Sequence, residues 1–333
     1  MEHFITLSDY PVEILDRIVE TAEEIKNRKL RVSLNDRSII LVFFNPSLRT
    51  RTSFELAMKQ LGGSVVTLNA GGDTWKLETG EGVVMDGDRP EHVKDAARVL
   101  GRYADAIGAR AFAEGKNWEE DRKDPIINAF VQHSGVPVIN MESSLYHPNQ
   151  ALADIMTMKE KFGQNIKGLP VTITWAYHPK PLPMAVPNSI LLACSMYGMD
   201  VRLVRPPGYD LDQMIMQKAR ALSGEAGGSI LVTDNIEQAF QNSSVVYAKS
   251  WGSLRYYGDG EGEKNYRRKF TNWIVDEGKM SLTSNGYFMH CLPVRRGVVV
   301  EDSVIDGKNS IVYDEAENRL HAQKAVLYHK LGV

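Results

Sequence analysis

Short apolar runs alternate with helical patterns along the whole chain, and this alternation is typical of parallel sheets whose strands are joined by helices. The strands predicted on this basis are 38–44, 64–68, 106–109, 136–140, 171–175, 200–204, 230–232, 245–248, 273–275 and 287–290. The predicted helices are 91–103, 125–133, 149–162 and 315–331. We therefore expect an α/β protein with two domains, each a parallel β-sheet flanked by helices, joined by interdomain helices.

The length of 333 residues exceeds the roughly 150 residues that are usual for one domain, which also indicates two domains. We place the first domain at 1–146 and the second at 147–314. The closing segment, 315–333, is predicted to be a helix that packs back on the first domain. Residues 251–269 are rich in glycine, tyrosine and charge, so we predict a long surface loop there.

Composition excludes several classes of function. The formal net charge is −3, so no basic field is available for nucleic acid or for an anionic membrane. Two cysteines are too few for a disulfide framework and suit a reducing compartment. The sequence lacks a signal-peptide pattern and any apolar run of 18 residues. These features predict a soluble cytoplasmic protein.

The stretch FFNPSLRTRTSFE, which starts at Phe43, places hydroxyls and guanidinium groups where a strand gives way to a helix. Thr52 and Glu55 have the spacing of a capping box, which predicts that the main helix starts there. Arg49 and Arg51 could be solvated surface charges, or they could bind phosphate at the helix start. The chain contains neither a P-loop nor a G-x-G-x-x-G motif, so a small phosphorylated ligand is favoured over a nucleotide or a nicotinamide.

Four ordered motifs carry a resemblance to a known family: FNPSLRTRTSFE, HPNQ, HCLP and EAENR. Together they resemble the aspartate/ornithine carbamoyltransferase family over essentially the whole chain. GDTWKLE, TWAYHPKPLP and AKSWG further resemble its branch that carbamoylates N-acylated ornithine. Ordinary ornithine enzymes carry an acidic residue and a Ser-Met-Gly loop for a free α-ammonium, and this chain shows YAKSWGSLRYYG instead.

The resemblance implies the residues that bind carbamoyl phosphate. They are Ser47, Leu48 and Cys291 (both through the backbone), Arg49, Thr50, Trp75, Arg110, His147, Gln150, Leu292 and Arg319. Trp75 is implied to reach into a neighbouring subunit, so a homotrimer with shared active sites is expected. The residues implied around the acylated amino acid are Pro90, Glu142, His178, Lys249, Leu292 and Arg295.

The implied reaction is carbamoyl transfer to the δ-amine, giving an N-acylcitrulline and phosphate in arginine biosynthesis. The residues implied in catalysis are Arg49, Thr50, Arg110, His147, Gln150, Cys291 and Arg319. Thr50, His147 and Arg110 would donate to the developing oxyanion. No metal or cofactor is expected, and Cys291 is not assigned as a nucleophile, because no paired base is evident. A catalytically silent sensor of carbamoyl phosphate or of an acyl amino acid is the alternative of another class.

Pro90 bears on which acyl group the chain accepts. One interpretation is local, because proline is favoured in the first turn of a helix. In the family branch, however, enzymes for N-acetylornithine tend to carry glutamate at this position and those for N-succinylornithine carry proline. A glutamate would repel the succinyl carboxylate, and Arg89 could offer it a cation. The resemblance therefore implies N-succinyl-L-ornithine as the acceptor and N-succinyl-L-citrulline as the product, with N-acetyl-L-ornithine as the alternative acceptor.

Overall fold

The computed structural model describes residues 3–332. Its strands are β1 (Ser38–Phe43), β2 (Ser64–Asn69), β3 (Leu77–Glu78), β4 (Glu91–His92), β5 (Ala106–Arg110), β6 (Val138–Glu142), β7 (Pro170–Trp175), β8 (Asp200–Val204), β9 (Ser229–Thr233), β10 (Val245–Lys249) and β11 (Tyr287–Met289). Its α-helices are α1 (Val12–Lys26), α2 (Arg49–Gln60), α3 (Val93–Tyr103), α4 (Trp118–Asp121), α5 (Pro125–His133), α6 (Pro148–Phe162), α7 (Ala185–Met196), α8 (Gln213–Ala226), α9 (Ile236–Phe240), α10 (Gly260–Arg267), α11 (Glu277–Met280), α12 (Asp302–Ile305) and α13 (Val312–Leu331).

The chain divides into two compact units. Unit 1 comprises the chain up to Glu114, the segment 119–149 and the chain from Arg319 onward, and unit 2 comprises 115–118 and 150–318. Helices α6 and α13 each contribute residues to both units. The domain boundaries predicted at 146 and 314 fall at the start of these same two helices. Within residues 3–332, no helix is long and apolar enough to cross a membrane.

Unit 1 is built on a parallel sheet with the strand order β2-β1-β5-β6. Strands β1 and β5 are almost continuously buried, as is usual when helices cover both faces of a parallel sheet. Ile40 and Ile107 pack in one core cluster with Val93 of α3 and Phe130 of α5. The predicted first-half sheet is confirmed, with β6 shifted to a start at Val138.

Unit 2 contains a second parallel sheet with the order β11-β10-β7-β8-β9. Its central strand β7 is buried from Val171 onward, and every residue of α7 is buried. Burial on all sides explains why α7 contains no charged residue. Together the two sheets confirm the predicted α/β fold class.

Three local predictions differ from the structure. Residues 273–275 do not form a strand, and only an isolated bridge joins Val275 to Val300. Helix α3 begins at Val93, two residues after the predicted start, because His92 Nδ1 accepts a hydrogen bond from Lys94 N–H at 3.1 Å. The predicted surface loop 251–269 instead contains α10 and the buried residues Trp251 and Arg267.

The packing of α3 on the turn after α5 generates a stability prediction. A Cβ atom on Gly101 would lie 1.7 Å from the backbone oxygen of Ser134, so Gly101→Ala is expected to destabilise the fold by ~1–3 kcal/mol through overpacking. Gly224 in α8 is the matched control, because nothing lies within 4 Å of the corresponding Cβ. Gly224→Ala should stabilise by ~0.5–1 kcal/mol. Urea unfolding measures both, and a Gly101→Ala protein as stable as wild type would contradict the packing.

Candidate active site

The turn that follows β1 carries the predicted anion site. Helix α2 begins at Arg49, directly after Ser47 and Leu48. Ser47 Oγ accepts a hydrogen bond from Thr50 N–H at 3.2 Å, which satisfies one donor of the first turn. The other N–H groups of that turn and the positive end of the helix dipole favour an anion at this place.

The capping box predicted for Thr52 and Glu55 is wrong, because α2 begins before Thr52. Glu55 Oε1 instead accepts hydrogen bonds from Thr67 Oγ1 at 2.8 Å and from Arg51 Nε at 3.2 Å. Arg51 Nη1 also lies 3.4 Å from Asn69 Oδ1. These contacts tie α2 to β2 and engage Arg51 in the scaffold.

The hydroxyl of Thr50 lies at the centre of a cationic cluster in unit 1. Thr50 is buried, and its Oγ1 accepts a hydrogen bond from Arg319 Nη2 at 2.7 Å. Arg110 Nη1 lies 3.5 Å from the same oxygen. A guanidinium can only donate, so the hydroxyl proton of Thr50 remains available for an acceptor. The structure thus brings together three of the predicted carbamoyl phosphate residues.

Glu142 supplies the counter-charge of this cluster. Its Oε2 accepts a hydrogen bond from Arg110 Nη1 and lies 3.6 Å from His147 Nε2. All three side chains are buried, and the guanidinium of Arg110 also lies 4.5 Å from the ring centroid of Phe112. Glu142 was predicted beside the amino-acid substrate, and here it contacts two residues that were predicted to hold carbamoyl phosphate.

A buried aspartate supports the segment that leads to His147. Asp124 accepts hydrogen bonds from Ser143 Oγ at 2.6 Å and from Ser144 N–H at 2.8 Å. Burial raises the pKa of Asp124 to about 6, because removal from water penalises the charged carboxylate. Sequence reasoning missed this residue, because Asp-Pro at the start of α5 indicates only a helix cap.

Gln150 of unit 2 is held by two buried carboxylates. Its Nε2 donates to Asp154 Oδ1 at 2.8 Å and to Glu315 Oε1 at 2.9 Å. Across the described residues, Gln150 Oε1 accepts no hydrogen bond, which leaves it able to accept from an amide. Neither acid is among the predicted site residues, although each lies four residues along a helix from one of them, Gln150 or Arg319.

The HCLP motif follows β11 in unit 2. His290 N–H donates to Glu315 Oε2 at 2.9 Å, and His290 Nδ1 accepts from Leu292 N–H at 2.9 Å. Cys291 is buried, and Leu292 has a φ of 48° before a cis bond to Pro293. A left-handed φ is uncommon for a residue with a large side chain, and such backbone is concentrated at functional sites.

His178, Lys249 and Arg295 form a second positive region in unit 2. Arg295 Nε donates to His178 Nε2 at 3.0 Å. Burial lowers the pKa of His178, and the positive charges of Arg295, Lys249 and Arg267 lower it further. The imidazole is therefore neutral near pH 7, while Lys249 and Arg295 supply charge that suits a carboxylate.

Trp75 and Pro90 are not buried with the arginine cluster. The side chain of Trp75 is 68% exposed, and Pro90 is also exposed. Pro90 precedes β4 and the His92 cap, so the interpretation that it occupies the first turn of a helix is wrong. Arg89 Nη1 lies 3.6 Å from Glu78 Oε1, a contact that partly offsets the charge predicted to meet a succinyl group.

Comparison with protein families decides the relationship that the motifs suggest. Residues 2–160 match the carbamoyl-P binding domain of aspartate/ornithine carbamoyltransferase, and residues 184–330 match its Asp/Orn binding domain. The chain belongs to the aspartate/ornithine carbamoyltransferase family. It is therefore a carbamoyltransferase, and the resemblance stated from the four motifs is confirmed.

The chain is similar to curated relatives over nearly its whole length. It is 49% identical to an N-acetylornithine carbamoyltransferase from Xanthomonas axonopodis pv. citri, with 98% of this chain and 96% of the relative covered. It is 40% identical to an N-succinylornithine carbamoyltransferase from Bacteroides fragilis, with 98% of each chain covered. Both relatives lie in the N-acylornithine branch, so whole-chain similarity leaves the acyl group open.

Solved structures give the same assignment. An acetylornithine transcarbamylase complexed with acetylcitrulline superposes with a TM-score of 0.98 at 48% identity, covering 100% of each chain. A second structure is an N-acetyl-L-ornithine transcarbamylase mutant with glutamate replaced by proline, complexed with carbamyl phosphate and N-succinyl-L-norvaline. It superposes with a TM-score of 0.97 at 48% identity, covering 99% of this chain and 100% of the other.

The Thr50 cluster generates a direct test of the site. Thr50→Val keeps the shape of the side chain and removes the hydroxyl that meets Arg319, so kcat/KM is expected to fall by about 10- to 100-fold, the equivalent of a charge-assisted hydrogen bond. Thr52→Val is the matched control, because Thr52 is exposed on the same helix. Steady-state kinetics on both folded variants measures the difference. Equal activity of the two variants would remove Thr50 from the site.

Proposed function

We propose that this carbamoyltransferase transfers the carbamoyl group of carbamoyl phosphate to the δ-amine of N-acylated ornithine, with N-succinyl-L-ornithine as the preferred acceptor. The observation that carries the proposal is the positive field set up by Arg295, whose Nε donates to His178 Nε2 at 3.0 Å, and by Lys249 at the end of β10. That field attracts an α-carboxylate and repels a free α-ammonium. Acylation removes the ammonium charge, so an N-acylornithine suits these surroundings better than ornithine does.

The anion site of unit 1 fits carbamoyl phosphate by its charge. Arg49 begins α2, Arg110 and Arg319 contact Thr50, and Arg110 also donates to Glu142. The guanidinium groups of Arg110 and Arg319 both meet the hydroxyl of Thr50. A phosphate group carries roughly −1.5 to −2 charge near neutral pH, so its charge suits this cluster.

The proposed chemistry needs orientation and fixed donors. The neutral δ-amine attacks the carbamoyl carbon, negative charge develops on the carbonyl oxygen, and phosphate leaves with the amine proton. Thr50, whose hydroxyl proton is not used by its arginine partners, is assigned with Arg110 and His147 to the developing oxyanion. Gln150 Oε1 is assigned to the carbamoyl amide, because its own amide group is held by Asp154 and Glu315.

The preference for a succinyl group rests on Pro90. Pro90 is exposed and lies outside α3, so a role in starting that helix does not account for it. A relative in which proline replaces glutamate is found in complex with an N-succinyl amino acid, and we infer that this glutamate corresponds to Pro90. Whole-chain identity favours N-acetyl relatives, but identity averages over all residues, whereas the acyl group meets only a few.

Pro90→Glu tests the acyl preference. Kinetics with ornithine, N-acetylornithine and N-succinylornithine at fixed carbamoyl phosphate should show that wild type prefers the succinyl compound and barely uses ornithine. Pro90→Glu should lower the succinyl-to-acetyl ratio of kcat/KM by ~10-fold or more, because like-charge juxtaposition costs several kcal/mol. Pro90→Gln is the matched control, since it adds a side chain of similar size without charge. A wild type that prefers N-acetylornithine would refute the preference.

We also propose that the active unit is a homotrimer in which Trp75 completes the phosphate site of a neighbouring subunit. Trp75 is largely exposed although it is a large aromatic residue, and Leu48 beside the anion turn is 77% exposed. A cavity of about 610 Å³ is lined by Ser47, Leu48 and the 69–73 segment, among others. Exposed apolar side chains beside an open cavity are features of an interaction site.

Mixing two inactive variants tests the sharing of sites. Trp75→Ala and Arg49→Ala should each impair activity, and trimers formed after mixing should regain part of it. A complete site would then combine the intact Arg49 of one subunit with the intact Trp75 of its neighbour. Activity assays on trimers confirmed by mass measurement decide this, with a mixture of Arg49→Ala and Thr50→Val as the control that should not recover. Absence of recovery in mixed trimers would refute sharing.

A further inference from the structure

Arg267 is fully buried, with no exposed surface. The proposed chemistry does not use it. It is the last residue of α10, inside the stretch that the sequence suggested was a surface loop. Its guanidinium lies 5.5 Å from the ring of Trp175 and 5.4 Å from that of Tyr209. Glu263, four residues earlier, is its buried ion-pair partner.

Stability alone does not explain this ion pair. Taking two charges out of water is costly, and a well-packed apolar pair of similar volume is often at least as stable. Buried charges of this kind can instead specify one arrangement of the groups around them. The relevant question is which groups Arg267 arranges.

Arg267 binds backbone carbonyls from two separate segments. Nη1 donates to the carbonyl oxygens of His178 at 2.8 Å and Lys180 at 3.0 Å, and Nη2 donates to that of Trp251 at 3.0 Å. The first segment follows β7, and the second follows β10 directly after Lys249. Because a guanidinium is planar and rigid, these bonds fix both segments relative to each other.

The same bonds extend to the ring of His178. Arg295 Nε–H can only donate, so the His178 Nε2 that it meets at 3.0 Å is unprotonated and the ring proton lies on Nδ1. His178 Nδ1 then donates to the carbonyl oxygen of Lys180 at 2.8 Å, which is the oxygen that also accepts from Arg267. Lys180 N–H lies 3.1 Å from the same Nδ1, a contact that only the other tautomer could accept. A continuous series of contacts runs from Arg267 through Lys180 and His178 to Arg295.

We propose that Arg267 is a positioning residue for the acceptor amino acid, setting the orientation of Arg295 through the ring of His178 and fixing the segment that follows Lys249. The inference rests on the proposed function only in assigning Arg295 and Lys249 to the substrate carboxylate. Its contacts all lie within unit 2, so it concerns the acceptor rather than the anion turn of unit 1.

Arg267→Lys is the principal test, because it keeps the charge and loses the planar fork. The KM for the acylornithine is expected to rise on the order of 10- to 100-fold, as for a binding group displaced by about 1 Å, while the KM for carbamoyl phosphate stays within twofold. Arg202→Lys is the matched control. Arg202 also donates to two backbone carbonyls in unit 2, those of Ala239 and Gln241, and neither lies in the His178 or Lys249 segments.

A double-mutant cycle separates positioning from general destabilisation. In a His178→Ala background, Arg267→Lys should raise the KM for the acylornithine by much less than it does in wild type, because the route through the ring is gone and only the segment after Lys249 is still disturbed. Its effect on the free energy of unfolding should persist in that background. The proposal would be overturned if His178→Ala and Arg267→Lys affected the KM for the acylornithine independently of each other. It would also be overturned if Arg267→Lys raised the KM of both substrates equally.

A spectroscopic measurement tests the positioning without substrate. Long-range ¹⁵N–¹H correlation, assigned with His178→Ala, should show the Nδ1–H tautomer of His178 in wild type and in Arg202→Lys, and a mixture of tautomers in Arg267→Lys. An unchanged tautomer in a folded Arg267→Lys protein would overturn the proposal. If wild type carbamoylates no acylornithine, the proposed function fails while this measurement still decides the role of Arg267.

Glu263→Gln keeps the test decisive if Arg267→Lys does not fold. The amide retains an acceptor oxygen for Arg267 and for Ser253 N–H, which Glu263 Oε1 meets at 3.1 Å, and removes only the counter-charge. The guanidinium is then held less firmly, so the KM for the acylornithine should rise by a few-fold with the KM for carbamoyl phosphate unchanged. An unaltered KM in this variant would refute the role assigned to Arg267.

Discussion

The parallel register of β1, β5 and β6 is the constraint on which the proposed anion site depends. Phe43 is the register partner of Arg110, and Arg110 is the partner of Glu142. Neighbouring parallel strands end at the same edge of a sheet, so the turn after β1, the guanidinium and the carboxylate come together there. A register shift between Ala109 and Arg110 interrupts the regular pairing just before the guanidinium, and such irregularities redirect side chains beside functional sites.

Each unit buries a guanidinium group away from water. In unit 1 Arg110 is balanced by Glu142, and in unit 2 Arg267 is balanced by Glu263. Neither pair is needed merely to fill space, because apolar side chains would do that at a lower desolvation cost. Each pair instead holds a guanidinium group in one orientation, so that its N–H donors point at fixed partners. In unit 1 the donors meet Thr50, and in unit 2 they meet backbone carbonyls.

The proposed carbamoyl chemistry and the proposed acyl preference rest on different kinds of residue. The residues assigned to the oxyanion are buried, and each is held by contacts with other buried groups. Pro90 is exposed and lies before α3, so its replacement disturbs little else. Relatives at 49% and 40% identity are named for different acyl groups. An exposed position can change without repacking a core, which is the physical reason for placing the proposed acyl preference at Pro90.

Local patterns were sufficient for the α/β class, for α5 at Pro125–His133 and for β8 at Asp200–Val204, because hydrophobic periodicity and proline placement act over a few neighbouring residues. Motifs also predicted the residues proposed for the anion turn, since their chemistry is visible in the side chains themselves. Tertiary structure alone decided that Arg110 pairs with Glu142 across 32 positions, because strand register brings them together. It also decided that Arg267 is buried. A polar, glycine-rich stretch has the same local pattern whether its arginine meets water or three carbonyls, and only the packed chain distinguishes the two.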